Sequence, residues 1–362
     1  MTKKKIFMLA PNFYGIDKSI KSIFESFGFE VVLKNTRNRL GPAEAISLKI
    51  SKMAPIAAPA LRPFLKSFLD RDNEEYLSLM RETKPDVFFA IKGETIYPET
   101  LALIRNEMNI PCLIYQWDCP FYSYADHAVD VYRKNNFAKG MQYYDHIFSH
   151  DPYYVEEIRS RGAKNVNYLP LATDPKQYRE IDTSEAEKSE FGYDVCFVGS
   201  PLPNRIKVLE SLRQFRLGVF GDGWDMWHRL RFKKIPSYYK GRATGEKVLK
   251  LYRCSKIVLN IHSQDAKYGV NTRTFDIPAC GAFELTDYKP EMDKLFKPGE
   301  EIVYYKSLDE LKRLVRFYLE NPEKRCTIIE KGRARVLNSH TWFHRMQEVV
   351  KYMHTKLFRL PQ

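Results

Sequence analysis

The sequence predicts an α/β protein of two successive lobes, each a parallel sheet covered by helices on both faces. Three observations carry this expectation. The chain has 362 residues, room for two domains at roughly 150 residues each. Short apolar runs alternate with stretches whose apolar residues recur at helical spacing, the rhythm of βαβ units. That rhythm lapses between 172 and 191, where Asp, Glu and Lys dominate, and then restarts.

In order, 5–10 reads as a buried strand, and 17–27, with Ile20, Ile23, Phe24 and Phe27 on one face, as a helix closed by Gly28. Residues 30–33 begin the second strand. Further on, 86–91 is a strand, 98–108 a helix, 111–115 and 146–149 strands, 152–161 a helix ending at Gly162, and 167–171 a short strand. Past the acidic stretch come strand 194–198, helix 204–213, strand 217–220, helix 245–253, strand 256–261, helix 272–280, strands 282–285 and 301–304, and helices 307–320 and 322–338. The last segment, 341–358, is helical and long enough to return to the first lobe. The expected division is therefore 1–172 with 341–362, a linker at 173–191, and 192–340. Residues 48–69 interrupt the pattern with Pro55, Pro59 and Pro63, and with Lys49, Lys52, Arg62 and Lys66 among apolar residues. The prolines argue for a loop and short helices packed on the first lobe; a basic amphipathic surface touching anionic lipid is the other reading.

Hydrophobic residues make up 44% and charged residues 28%, which excludes disordered and collagen-like chains. There are 58 Lys and Arg against 45 Asp and Glu, a formal net charge of +13, so an anionic partner is expected: nucleic acid, an acidic membrane or a phosphorylated small molecule. The six cysteines form no CxxC pair and lie mostly in apolar runs, fitting a reducing cytoplasm better than a disulfide framework. The apolar run after Lys3-Lys4-Lys5 is too short for a signal peptide, and no run approaches a membrane span. A cytoplasmic protein, at most peripheral at the inner membrane face, is the expectation.

The most informative stretch is 268–287, YGVNTRTFDIPACGAFELTD. A polar cluster opens a helix, a glycine stops it and an apolar strand follows. Free amides at a helix start attract an anion, Asn271 and Thr274 add polar groups, and Arg273 offers a planar fork to phosphate oxygens. Asp276, three residues on, is placed to accept hydrogen bonds from vicinal hydroxyls. Phosphate plus diol suggests a nucleotide. Upstream, Phe197-Val198-Gly199-Ser200 with Arg205 is a strand, a glycine turn and a helix, the setting of a backbone diphosphate cradle.

Together with Asn338-Ser339-His340-Thr341, these motifs resemble the CgeB-like (spore maturation protein) branch of the family 1/4-type glycosyltransferases. The likeness covers most of 190–345. In the first lobe it rests on Gln116-Trp117-Asp118-Cys119-Pro120 and on 145–151. The resemblance implies a GT-B fold, two Rossmann-like lobes facing across a cleft, with the acceptor on the first lobe and the nucleotide-diphosphate sugar on the second. It also implies that Arg205 and Arg273 neutralise the leaving diphosphate, and that Asp276 stands where the family carries a ribose-binding Glu. Tyr239 and Gly241 fall where relatives hold the base, though a surface basic turn reads equally well. His262 either faces the donor sugar or is a satisfied half-buried histidine.

Asp118 follows an apolar strand, where open α/β sheets place ligands, and is the candidate base for an inverting transfer; His150 is the second. Each has a structural alternative, and a retaining enzyme needs no such base. Asp70-Arg71-Asp72 spells DxD but follows helical spacing, and 241–247 lacks a P-loop's Gly-Lys-Ser/Thr. Gly221-Asp222-Gly223 lacks the third glycine of a dinucleotide fingerprint, because position 226 is Met. No metal-ligand spacing occurs, so neither metal nor cofactor is expected. The expected function is metal-independent transfer of a sugar from a nucleotide-diphosphate donor to a hydroxyl of a glycan, lipid-linked saccharide, protein or small molecule. The rivals are a sugar-nucleotide epimerase of the same fold and a basic nucleic-acid-binding protein, against which stand the scattered basic residues.

Overall fold

A computed structural model describes residues 3–12, 14–36, 58–121, 135–225 and 236–358, the side chains of 58–65 excepted. The chain divides into two units, Met1–Pro170 with Arg345–Gln362, and Leu171–His344.

The first unit is built on a six-stranded parallel sheet in the order β2-β1-β3-β4-β5-β6. Its strands are β1 (Lys5–Ala10), β2 (Glu30–Asn35), β3 (Val87–Ile91), β4 (Cys112–Gln116), β5 (His146–Ser149) and β6 (Val166–Tyr168). β3 and β4 are buried at every residue. That is why they read as unbroken apolar runs rather than alternating ones: helices cover both faces. Helix α1 (Ile16–Ser26) buries Ile16, Ile20 and Phe24.

Helix α2 (Ala58–Thr83) corrects the reading of 48–69 as a loop with short helices, since 26 residues form one helix. Pro59 falls in its first turn, where no intrahelical donor is needed, so only Pro63 removes a bond. Residues 48–57 lie outside the described ones, as do the side chains on which a lipid-facing surface would depend. The Asp70-Arg71-Asp72 triplet is indeed helical, with Asp70 bonded to Lys66 and to the Tyr97 hydroxyl. The expected helix at 98–108 is α3 (Pro98–Ala102) continued by a π-helical turn over Leu103–Glu107. Helix α4 (Pro152–Ser160) is capped by Asp151, which accepts from the Tyr153 amide.

The second unit holds a five-stranded parallel sheet in the order β11-β10-β9-β7-β8. Helix α5 (Glu185–Phe191) begins with a capping box of Ser184 and Glu187. Thus 173–191, read above as a linker, belongs to this unit: Tyr178 and Ile181 pack on Leu249, Tyr252, Ile277 and Cys280. There follow β7 (Val195–Val198), α6 (Pro203–Glu210), β8 (Leu217–Phe220), α7 (Glu246–Cys254), β9 (Ile257–Asn260), α8 (Arg273–Ala279) and β10 (Glu284–Asp287). The unit continues with a short α9 (Met292–Leu295), β11 (Val303–Tyr305), α10 (Leu308–Glu320) and α11 (Pro322–Ser339). Helix α12 (Trp342–Tyr352) begins in the second unit and, from Arg345 on, belongs to the first, where Arg345 Nε donates to the Pro170 carbonyl at 2.7 Å. Among the described residues no helix is long and apolar enough to cross a membrane, and no cysteine is paired.

Candidate active site

In open parallel sheets ligands bind beyond the carboxyl ends of the strands, where the strand order reverses. In the second unit the order reverses between β7 and β9. Gly199 and Ser200 leave β7 there, and Ile261 and His262 leave β9. Arg205, on the first turn of α6, lies between them, 5% exposed. Its Nε donates to the Ile261 carbonyl at 3.0 Å, and one terminal nitrogen reaches the Ser200 carbonyl and hydroxyl at 3.1 and 3.2 Å. Burial, and then the nearby Arg273 charge, push the Arg205 guanidinium down to about 9, with Asp287 acting in the opposite sense. Two like charges at a sheet's carboxyl edge form a standing attraction for an anion.

Asn260, fully buried at the end of β9, organises the second arginine. Its amide nitrogen donates to Asn271 Oδ1 and Thr274 Oγ1 at 3.1 Å and to Glu284 Oε1 at 2.9 Å. Its carbonyl oxygen accepts from Asn271 Nδ2 at 2.9 Å and from Arg273 Nε at 3.3 Å. His262 is also fully buried. Its Nδ1 donates to Asp287 Oδ1 at 2.7 Å, leaving Nε2 toward Thr274 Oγ1 at 3.5 Å. Burial holds the imidazole below its ordinary value despite that carboxylate. The tertiary structure thus gathers His262, Asn271, Arg273 and Thr274 into one network, with Arg205 beside it.

Two expectations for the 268–287 stretch are corrected. The first-turn amides of α8 do not stand free: Thr274 N donates to Asn271 O, and Phe275 N and Asp276 N both donate to Thr272 O. Thr272 is already in helical conformation, so recognition of an anion falls to the guanidinium. Nor is Asp276 presented at a surface. It is 3% exposed, with Oδ1 accepting from Thr173 Oγ1 at 2.7 Å, and burial pushes its carboxyl up to about 7. Tyr239 and Gly241 belong to the loop packed next to Gly199. The Tyr239 hydroxyl donates to the Gly221 carbonyl at 3.2 Å, and Gly221 N donates to the Gly241 carbonyl at 3.1 Å. Gly221 sits at φ 140°, and a Cβ there would meet Gly199 O at 2.3 Å, so only glycine lets the two loops approach.

In the first unit, Asp118 and His150 lie beyond the carboxyl ends of the adjacent strands β4 and β5. Lys92, beyond β3 in the left-handed region at φ 68°, pairs with the Asp118 carboxylate. His150 Nδ1 lies 3.3 Å from the Gln116 carbonyl. A carbonyl only accepts, so Nδ1 carries the proton and Nε2 the lone pair. Burial keeps this imidazole below its ordinary value, against the charges of Asp151 and Asp118, and therefore neutral.

Sequence reading passed over Lys92, Thr173, Asn260, Glu284 and Asp287. Lys92, Asn260 and Asp287 each end or follow an apolar strand, the same signal that marked Asp118. Thr173 and Glu284 carry no local signal. Among the described residues no three His, Cys, Asp or Glu side chains group as metal ligands would.

Comparison with known proteins fits this geometry. The family described as glycosyl transferase-like matches residues 205–351, which take in Arg205, the Asn260 network and Asp276. The fold is shared with HepE from Anabaena, solved with UDP-glucose (TM-score 0.63, 12% identity, 97% of this chain and 99% of that one). It is shared equally with sucrose-phosphate synthase from Thermosynechococcus elongatus (TM-score 0.67, 11% identity, 98% and 99%). Two parallel-sheet units of this likeness have the GT-B fold, with a glycosyl transferase-like match over most of the second. Along 273 residues the chain is 23% identical to the spore protein CgeB of Bacillus subtilis, covering 71% of this chain and 79% of that protein.

Proposed function

We propose that the second unit binds the diphosphate of a nucleotide sugar at the β7/β9 edge, and that the sugar passes to an acceptor hydroxyl without a metal ion. The observation that carries this reading is the placement of two arginines at this edge, Arg205 held by the Ile261 and Ser200 carbonyls and Arg273 by the Asn260 side-chain oxygen. Bond cleavage in the donor builds negative charge on the departing diphosphate. Guanidiniums fixed beforehand by backbone carbonyls and Asn260 stabilise that charge without reorganising. Of the two, Arg205 is spent chiefly on Ser200 and Ile261, so Arg273 makes the larger direct contribution. His262, held by Asp287 and next to Thr274, is the candidate to face the donor sugar.

For an inverting transfer, His150 is the better base. Its lone pair is on Nε2 and its burial keeps it neutral, whereas the Asp118 carboxylate is engaged in an ion pair with Lys92. Asp118 then acts on His150 through its charge. Because HepE was solved with UDP-glucose, uridine diphosphate sugars are the first donors to try. The basic balance suits an acidic or lipid-linked acceptor, including one at an anionic membrane face.

The test is a thermal-shift and calorimetric screen of the full chain against UDP, GDP, dTDP and CMP sugars. A ligand that binds only the folded state raises the melting temperature by mass action. One donor class should raise it, and should be consumed once an acceptor is supplied. No shift with any of them, together with salt-sensitive binding to random DNA, would overturn the reading. Release of an epimerised sugar without acceptor would favour the epimerase.

A further inference from the structure

Glu284 is an anomaly in its strand. Its neighbours Phe283 and Leu285 lie in the apolar core, and Glu284 itself is 3% exposed. Burying a carboxyl is costly unless its hydrogen bonds are met. Here one oxygen, Oε1, accepts from Asn260 Nδ2 at 2.9 Å, while Oε2 is buried with no partner among the described residues.

The consequence runs through Asn260. An amide can face either way, and its neighbours decide which. Glu284 Oε1 demands a donor, so the nitrogen of Asn260 turns to Glu284 and Thr274, and the oxygen turns to Asn271 Nδ2 and Arg273 Nε. Burial pushes the Glu284 carboxyl up to about 8. The Asn260 bond and the Arg273 charge work against this shift, and Asp276 and Asp287 add to it. At neutral pH the acid is uncharged, with its proton on the oxygen away from Asn260. A neutral acid orients the amide without neutralising Arg273.

We propose that Glu284 is a positioning residue which, through the side-chain amide of Asn260, aims Arg273 and Asn271 at the diphosphate. This rests on the reading of Arg273 as the diphosphate ligand.

The experiment is calorimetric titration of the full chain with UDP, GDP and dTDP, each alone. It compares the natural protein with Glu284→Leu, Glu284→Gln, Arg273→Ala, and Glu284→Leu combined with Arg273→Ala. Glu284→Leu should weaken the preferred nucleotide about tenfold, as expected for loss of a hydrogen bond that orients a charged ligand. Glu284→Gln, which keeps an accepting oxygen, should bring affinity back to within about twofold. The leucine effect should vanish on the Arg273→Ala background, because interacting residues are not additive. A merely structural role would leave it undiminished there, which would overturn the proposal, as would full affinity in Glu284→Leu. Should that variant fail to fold, pH decides. Above about pH 8 the ionised glutamate draws Arg273 to itself, so the natural protein should lose affinity relative to Glu284→Gln. Parallel pH profiles would overturn the proposal while leaving nucleotide binding intact. Failure of the natural protein to bind any of the three nucleotides would instead remove the donor-site reading, and this one with it.

Discussion

The hydroxyl of Thr173 donates to Oδ1 of Asp276 at 2.7 Å across 103 residues of sequence. This bond ties the segment entering the second unit to the helix behind Arg273, deep enough that burial raises the Asp276 carboxyl to about 7. It turns a residue expected to meet ligand into one that holds the site's frame.

Stability should therefore fall with rising pH. The neutral acids of Asp276 and Glu284 are favoured in the folded state, with carboxyls raised to about 7 and about 8. Their contribution is complete below the ordinary carboxylate range and is lost as pH climbs through those values. The melting temperature of the natural protein should decline from pH 6 to pH 9. Asp276→Asn should flatten the decline, and an unchanged slope in that variant would contradict the assignment.

Arg273→Ala should leave the fold intact, since Arg273 is partly exposed and its recorded bond is to Asn260. Diphosphate affinity should drop about ten- to a hundredfold, the worth of a charged hydrogen bond. Arg273→Lys should recover little, because an ammonium cannot reproduce the guanidinium fork. Calorimetry with the nucleotide and circular dichroism of the free protein check the two halves.

Arg205→Ala should behave differently. Its guanidinium holds the carbonyls of Ser200 and Ile261, and removing it orphans the buried Ile261 carbonyl, while exposed Ser200 can turn to water. A loss of about 1–3 kcal/mol per unsatisfied group predicts a markedly lower melting temperature, read by calorimetric scanning.

If His150 is the base, His150→Ala should lower kcat by about a hundredfold or more without changing nucleotide affinity. Transfer should fall as acid protonates the imidazole, with the midpoint below the ordinary histidine range because burial depresses it. Asp118→Asn should shift that midpoint further down, as a negative charge near His150 is lost. A pH–rate profile of the three proteins reads this directly.

Gly221→Ala should disturb the Gly199–Ser200 turn from outside the cluster, because the added Cβ would lie 2.3 Å from Gly199 O. Reduced nucleotide affinity together with a lower melting temperature is the expected pair of outcomes.

Much of the fold was legible because two-sided burial writes itself into the chain. β3 and β4 are apolar at nearly every position and could be read as strands without any partner in view. The start of helix α2 reads as a loop with short helices because it is crowded with prolines, whose harm depends on which turn they occupy. In the site, the cluster from Asn271 to Asp276 stood out as a run of polar residues at a helix start, but its amides and Asp276 turned out to face inward.

The amino-acid sequence alone determined the alternation of strands and helices and the division into two α/β lobes, since each is recorded in local periodicity; the GT-B fold and the expected chemistry entered through the resemblance that its short motifs carry. Only the tertiary structure decided that Asn260 orients Arg273, that Glu284 stands behind it, that Lys92 claims Asp118 and that Thr173 holds Asp276. Those pairings join residues on different strands and loops. They are fixed by the order in which the sheets assemble and by the requirement that each buried polar group find a partner, and neither is written in any stretch of neighbouring residues.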